Sequence, residues 1–369
     1  MTSPARIIDR SCGPSGCEVD WLTSERHEAS DDVTAFTRWA TERGWGDGLP
    51  LVPPTEGRVR AFLARCDRFP DEIVAELPPL RGECTVEKIA VNAVMAGTDP
   101  AAMPVIIAAI EAMSRPEFNL AALNATTGSV VPAVIVNGPV RDELAIPYEV
   151  SCLGGAGGGA PAIGRAIRLV MRNLAGQAAG ITSQSVFGTP GRLAGIVFGE
   201  WEEQSPWAPL AERRGVAGNA VTVYGAMGTT NICDVIADNG RSLLEFIGKG
   251  LAYHGANGML PSSAFCELFV AFNPIWAKMI AASYPTVEDV QQVLWEAASL
   301  PVSSFPDGYD AGLVLSRRHG DRVHVAQSPQ DVIVVPAGSR QRYYPSSNVL
   351  ETTPVTACQQ AAVVPIPGG

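Results

Sequence analysis

The sequence lacks the short motifs that identify the commonest enzyme classes. It has no Gly-X-Ser-X-Gly nucleophile elbow, no His-Glu-X-X-His motif, no Cys-X-X-Cys pair and no Gly-Lys-Ser/Thr phosphate loop. These absences argue against standard serine hydrolases, zinc proteases, thioredoxin-like proteins and nucleoside triphosphatases. Histidine is also scarce, since the whole chain contains only 4.

Positive charge and long apolar runs are scarce as well. The chain carries 27 Lys and Arg against 38 Asp and Glu, with a net charge of −11, which disfavours nucleic acid and anionic membrane surfaces as partners. Its longest apolar runs, such as residues 103–113, are too short to span a bilayer, and residues 1–20 do not resemble a signal peptide. We therefore expect a cytoplasmic protein with no membrane and no nucleic-acid partner.

What is present indicates a large globular unit. The 369 residues are 46% hydrophobic, while 37 Gly and 29 Pro imply many turns. Helical and strand-like patterns mix along the chain, which predicts an α/β fold with mixed sheets flanked by helices. The 8 cysteines should be mostly reduced in the cytoplasm, as buried apolar residues, reactive thiols or metal ligands.

The pattern divides the chain into three parts. Residues 1–31 read as a flexible N-terminal arm, 32–340 as a single large catalytic unit and 341–369 as an irregular C-terminal tail. The segments PAVIVNGP and ELFVAFNP resemble each other, and TVEKIAV resembles TVEDVQQV. These echoes suggest two similar halves, 32–176 and 177–340.

A glycine-rich loop opens the stretch on which the functional hypothesis depends. Five of the six residues from 154 to 159 are glycine, and an amphipathic helix with Pro161 near its start follows. Backbone N–H groups at Gly157, Gly158 and Gly159, the helix N-terminus and Arg165 together predict a cradle for an anionic substrate. The alternative is a loop that needs small residues only for close packing of the backbone.

Other polar groups extend this hypothesis. Hydroxyls of Thr126 and Thr127 in the segment NATTGS are candidates to line a substrate pocket, although a simple Ser/Thr turn is an equal alternative. The acidic run EWEEQ at 200–204 is a source of general acids or metal ligands, or a solvated face, which we favour.

Three residues are candidate catalytic groups. Cys84 stands just before the helix TVEKIAVNAVMAG, whose N-terminal dipole should stabilise a thiolate and lower the thiol pKa. Cys152 abuts the glycine loop and could share a pocket with Cys84, as a resolving thiol or a metal ligand. His254 lies between a helix and a glycine turn, where an imidazole can act as acid or base. Each has the alternative of a structural residue, and no metal site is predicted.

Six blocks together resemble the bacterial UGSC-type (seleno)protein family and its associated proteins, over residues 36–300. They are GWGDGLPLVPPT, TVEKIAVNAVMAG, ATTGSVVPAVIVNGPV, GGAPAIGRAIRLVMRN, GTPG and SPWAPL. The resemblance implies thiol or selenol chemistry of the reductase type. The motif that names the family is absent, and only Ser11–Cys12–Gly13 and Ser15–Gly16–Cys17 echo it. The chain also has Thr98 where the family has a cysteine, and Gly159 or Ala160 where it has an asparagine.

Three functional hypotheses follow. The first is a cysteine-dependent oxidoreductase or lyase that makes, breaks or reduces a carbon–heteroatom bond in a small anionic substrate. The second is a non-redox lyase or hydrolase that uses the same anion cradle, with His254 or a carboxylate as base. The third is the binding subunit of a complex with a thiol or selenol redox protein. The residues do not identify a cofactor. Extended Gly-Pro stretches around Trp45 and Trp207 predict a homo-oligomer, with a dimer as the simplest form.

Overall fold

A computed structural model describes residues 22–256, 259, 267–309, 317–340, 346–352 and 360–367. Helices and mixed strands confirm the predicted α/β class. The helices are α1 (Val33–Glu42), α2 (Glu56–Leu63), α3 (Val86–Ala96), α4 (Met103–Met113), α5 (Leu120–Ala125), α6 (Val140–Glu143), α7 (Ala160–Asn173), α8 (Gly191–Ala194), α9 (Leu210–Arg213), α10 (Gly240–Leu251), α11 (Pro274–Ser283) and α12 (Val287–Ala297). The strands are β1 (Ile73–Leu77), β2 (Gly82–Thr85), β3 (Val131–Asn137), β4 (Ile196–Gly199), β5 (Ala220–Cys233), β6 (Leu268–Phe272), β7 (Ser299–Pro301), β8 (Arg318–His319), β9 (Arg322–His324), β10 (Val332–Pro336), β11 (Ser346–Thr352) and β12 (Ala362–Pro365).

Local sequence signals fix the ends of the principal helices. The side chain of Thr85 caps α3 by accepting from the N–H of Lys88, and Gly97 ends it in the left-handed region at φ 77°. Asn273 caps α11 in the same way, by accepting from the N–H of Trp276. The helix predicted over TVEKIAVNAVMAG therefore lies where the sequence places it.

The main sheet has the strand order β10-β6-β11-β5-β3-β4, and β12 pairs with the first part of β5. The outer pairs β3–β4 and β6–β10 are parallel, whereas β5 and β11 pair antiparallel at the centre. The strand order therefore has an internal two-fold symmetry that relates β3 to β6. These two strands contain the similar segments PAVIVNGP and ELFVAFNP. Strands β4 and β12 both lie after residue 176 in the chain, but β4 pairs with β3 and β12 pairs with β5. The division of the chain into halves at residue 176 stays a prediction.

The main sheet is strongly curved, and its two edge strands meet. The rings of Phe198 on β4 and Phe269 on β6 lie 6.0 Å apart across the concave face, although three strands separate them in the sheet. Just beyond β4, the N–H of Trp201 donates to the carbonyl oxygen of Pro336, at the end of β10, over 2.7 Å. A donor of the same chain thereby satisfies a backbone acceptor at the end of the edge strand β10.

Helices cover the convex face in two groups. Helices α3, α4 and α7 pack on β3 and β5 around one apolar core, and α10, α11 and α12 pack on β6 and β10 around another. A third core fills the concave face between the strands. Strand β3 serves two of these cores at once, so all seven of its residues are buried.

The terminal segments differ from the sequence prediction. The tail at 341–369 is not irregular, because β11 and β12 lie within it and join the central strand β5. In the N-terminal arm, the described part packs against α3, where the N–H groups of Thr23 and Ser24 donate to the buried carboxylate of Glu87. Residues 1–21, with Cys12 and Cys17, lie outside the described residues. None of the described helices is both long and apolar enough to cross a membrane.

Candidate functional site

The anion beside Arg165 is a side chain of the protein. Arg165 forms a two-pronged ion pair with Asp47 of the GWGDG segment, at 2.7 Å (Nε–Oδ2) and 2.8 Å (Nη2–Oδ1), and both side chains are only about one-tenth exposed. Burial raises the pKa of Asp47, but hydrogen bonds from Arg165 and from the Leu49 N–H, with the charge of Arg165, lower it overall. Arg165 therefore ties the extended segment to α7 and is not aimed at a substrate.

The glycine loop is shaped mainly by packing. A Cβ atom on Gly158 would overlap the carbonyl oxygen of Ala145, and one on Gly159 would lie 3.0 Å from the carbonyl oxygen of Leu144. Gly157 has φ 79° and open space around it, so its glycine is required by backbone conformation alone. These contacts support the packing alternative for the loop.

The predicted lowering of the pKa of the Cys84 thiol is wrong. Cys84 is fully buried in the core formed with α3 and α4, and burial raises its pKa to about 12, although the charge of Lys88 partly offsets this. Burial likewise raises the pKa of Cys152 to about 11, although backbone N–H groups partly offset this. The two cysteines do not share a pocket, because Cys84 lies in the convex-face core and Cys152 in the concave-face core.

His254 lies apart from both cysteines. Its side chain is exposed after the end of α10, with Nε2 3.0 Å from Ser304 Oγ and its ring 5.0 Å from that of Phe305. Its described contacts include neither Cys84 nor Cys152. The three predicted catalytic residues therefore do not form one constellation.

One turn after Arg165, Arg168 is buried without a carboxylate. Its Nε donates to the carbonyl oxygen of Arg192 over 2.9 Å, and Nη1 lies 3.1 Å from Met171 Sδ. Burial lowers the pKa of Arg168 to about 9, and the charges of Arg192 and Arg172 add to this effect. The guanidinium thus remains charged at neutral pH although only 9% of the residue is exposed.

Arg192, on α8, is the second cation of this region. Its Nη1 donates to Ser183 Oγ over 2.6 Å and its Nη2 to the carbonyl oxygen of Gly128 over 3.1 Å, whereas its buried Nε has no partner among the described residues. A Cβ on Gly164 of α7 would overlap the Ala194 carbonyl, so glycine is needed for α8 to pack closely on α7. No carboxylate among the described residues pairs with Arg168 or Arg192.

Hydroxyl groups complete this arginine–serine cluster, which we define as Arg168, Arg192, Ser129, Ser183 and Ser185. The hydroxyls of Ser129 and Ser185 lie 2.7 Å apart and join the NATTGS segment to the loop before α8. Ser183, which accepts from Arg192, is 1% exposed.

The predicted threonines border the cluster through backbone contacts. Thr126 Oγ1 accepts from the N–H of Gly128 and closes a turn, and the carbonyl oxygen of Thr127 accepts from Val186 N–H. The turn alternative therefore fits Thr126, while Thr127 fixes the loop that contains Ser185. Gln177, which begins the same loop, is 4% exposed, and neither polar atom of its side chain has a partner in the described part of the chain.

The acidic run at 200–204 is not simply a solvated face. Glu200, at the carboxyl end of β4, is fully buried and accepts from Asn137 Nδ2 and from the N–H of Leu210, each over 2.7 Å. Burial raises the pKa of Glu200 to about 7, although the charge of Arg213 and these hydrogen bonds oppose the rise. No group of three potential metal-ligating side chains occurs in the described part of the chain.

Sequence reasoning missed Arg192 and gave Arg168 no role. The available signal was the arginine directly after GTPG and the second arginine of α7. Arg165 received the role instead because pairing with Asp47, across 118 positions of the chain, is invisible to local pattern.

No protein-family model matches the chain, and no curated protein shows significant similarity to it. The resemblance to the UGSC-type family therefore stays a proposal.

Proposed function

We propose that this protein is an enzyme that binds a small anionic substrate at the arginine–serine cluster and makes or breaks a carbon–heteroatom bond in it. One observation carries the proposal: two guanidinium groups, one nine-tenths buried, lie together without a described carboxylate. Burying a charge without a counter-charge is costly, so such groups are usually paired with a fixed or a bound anion.

The chemistry of the cluster suits a carboxylate, phosphate or sulfate group. Guanidinium groups match these planar or tetrahedral anions with two-pronged hydrogen bonds, and serine hydroxyls add neutral donors that adapt to the oxygen positions. The unpartnered Nε of Arg192 is one donor that such an anion can satisfy. A bound anion also offsets the mutual repulsion of the two guanidinium groups.

For the bond-changing step, the structure supports non-redox chemistry better than thiol chemistry. Cys84 and Cys152 are buried and their pKa values are raised, so neither is a ready nucleophile at neutral pH. A partner redox protein, as the family resemblance implies, remains the alternative in which the chain supplies only the substrate site.

Anion binding by matched variants tests the site. We expect sulfate, phosphate and malonate to bind the wild-type protein in isothermal titration, and Arg192→Gln to weaken binding at least tenfold, since a charge-assisted hydrogen bond contributes about 1.5–3 kcal/mol. Arg38→Gln is the control, because Arg38 is exposed on α1 and is not part of the cluster. Equal affinity in Arg192→Gln and Arg38→Gln, or binding of an adventitious ion only at crystal concentration, contradicts the proposal.

Thiol labelling tests the choice of chemistry. With limiting iodoacetamide at neutral pH, we expect exposed Cys233 to be modified before buried Cys84 and Cys152. Activity, once a substrate is found, should survive Cys84→Ser. Preferential labelling of Cys84 that a bound anion slows would restore the cysteine-dependent hypothesis.

A further inference from the structure

A cavity lies at the C-terminal end of α7, between residues 22–31 and helices α1, α2 and α3. Its volume is about 510 Å³, within the range of about 300–1,000 Å³ typical of small-molecule sites. The arginine–serine cluster contributes no lining residue, so this cleft is a separate site.

One wall of the cleft is aromatic. The rings of Trp39 and Trp45 lie 5.3 Å apart in an edge-to-face arrangement, and the His27 ring contacts both at 5.7 and 5.4 Å. Phe36 stacks on Trp39 at 5.8 Å and extends the same surface. The Arg43 guanidinium already lies over the Trp39 ring, 3.9 Å from its centroid, so the wall favours the flat apolar body of a ligand.

Two buried polar atoms of the lining residues have no hydrogen-bond partner among the described residues. They are Asn173 Oδ1 and Ser24 Oγ. The amide of Asn173 is oriented by its Nδ2, which donates to Asn92 Oδ1 over 2.7 Å, so its free oxygen is an acceptor. Unsatisfied buried acceptors are rare in folded proteins, and these two call for a ligand that donates hydrogen bonds.

The charge of the lining selects the kind of donor. Four carboxylates line the cleft: Glu25, Asp31, Glu56 and Glu87. Two of them are ion-paired, Glu56 with Arg26 at 2.7 Å and Asp31 with Arg58 at 2.6 Å. Glu87 is 3% exposed and accepts hydrogen bonds from Thr23 and Ser24, and no described cation forms an ion pair with it. The ammonium of Lys88 donates a hydrogen bond to the carbonyl oxygen of Glu83.

From these contacts we infer that the cleft is a binding site for a small organic amine. Its apolar or aromatic body packs on Trp39 and Trp45, and its ammonium group donates to Asn173 Oδ1 and Ser24 Oγ near Glu87. The Glu87 carboxylate, which forms no ion pair with a described cation, disfavours a carboxylate of the same shape beside it.

Three probes of one shape and different charge test the site. In titrations of the full-length protein, phenethylamine should bind saturably, 2-phenylethanol more weakly and 3-phenylpropionate weakest. The inference is overturned if phenethylamine does not bind or if the carboxylate binds as tightly as the amine.

Variants then locate the binding. Ser24→Ala and Asn173→Leu should each weaken phenethylamine about three- to tenfold, the effect of losing one hydrogen bond, and Val91→Phe should fill the cleft and abolish binding. Asn231→Leu, on an exposed residue of β5, is the matched control and should change nothing. Ser24 lies in an irregular segment, so we expect Ser24→Ala to fold normally. It therefore still tests the site if Asn173→Leu fails to fold. Unchanged affinity in Ser24→Ala and Val91→Phe places the amine elsewhere and refutes the site.

Discussion

Arg165 and Arg168 lie one turn apart on α7, and the fold uses them in opposite ways. Arg165 is neutralised by Asp47 in a nearly buried ion pair, whereas Arg168 is buried beside a second arginine with no described carboxylate. The sequence therefore shows where the arginines are, but only the fold shows which of them is paired with a carboxylate of the protein. Arg168, which has no described carboxylate, is where we expect a bound anion.

Asp47 and Glu200 repeat this contrast with the sign reversed. Arg165 lowers the pKa of Asp47 below its usual value although burial acts the other way. Glu200 is fully buried, makes no ion pair with a described cation, and has its pKa raised to about 7. The two carboxylates should therefore change the free energy of unfolding in opposite directions: Glu200 lowers it as pH rises, and Asp47 lowers it as pH falls into the acid range.

The largest expected effect is the difference between Arg165→Met and Arg168→Met. Arg165→Met leaves Asp47 without its partner and should lower the free energy of unfolding by about 3–4 kcal/mol. Arg168→Met loses one hydrogen bond but also removes an unpaired buried charge, so it should stay within about 1 kcal/mol of wild type. Urea unfolding without added anions measures both values. A loss as large in Arg168→Met as in Arg165→Met would show that the two arginines are alike.

A somewhat smaller effect is expected from Glu200 as pH rises. The folded protein keeps the Glu200 proton up to about pH 7, whereas an unfolded glutamate loses it near 4.5. The folded state then binds more protons between these values, so stability falls as pH rises, by up to about 3 kcal/mol from this group. Glu200→Gln should remove this part of the pH dependence.

Urea unfolding of wild type and Glu200→Gln at pH 5, 6, 7 and 8 checks the effect. The stability of wild type should fall relative to the variant across this series. Glu143→Gln, at an exposed residue, is the control and should follow wild type. Parallel curves for wild type and Glu200→Gln would mean that Glu200 is charged in the folded protein throughout.

The smallest effect is expected from Asp47 in acid. Because its folded-state pKa is lowered, its contribution is present above the unfolded value of about 3.9 and is lost as pH falls through the folded value. The stability gap between wild type and Asp47→Asn should therefore be widest near neutral pH and narrow below about pH 4. Unfolding at pH 6, 4 and 3, with exposed Asp71→Asn as control, measures the gap. A gap that widens in acid would contradict the pairing with Arg165.

Much of the fold could be predicted from local sequence. Thr85 and Gly97 bracket α3, Pro274 opens α11, and β-branched residues mark β3, so these elements lie where the pattern placed them. The tail strands β11 and β12 were missed, because their pairing with β5 depends on residues more than 100 positions away.

The candidate site was less predictable because its decisive property is non-local. Helix dipoles and spacing favoured a reactive Cys84, but the packing of α3 on α4 buries that thiol completely and reverses the expected pKa shift. The substrate hypothesis placed an anion beside α7, and the structure supplies one, Asp47, at the predicted arginine. Which arginine lacks a carboxylate depends on contacts that no local pattern contains.

Strand β12 has a consequence for how the protein is made on the ribosome. Ala362 and Val364 insert into the core that α3, α4 and α7 build, and β12 pairs with residues 220–223 of β5. The core begun by residues 86–113 therefore stays incomplete until residue 365 has been synthesised, and slow folding is expected of contacts so distant in sequence. During translation, the nearly uncharged helix α4 would expose its apolar surface to the cell's chaperones until the last strand arrives.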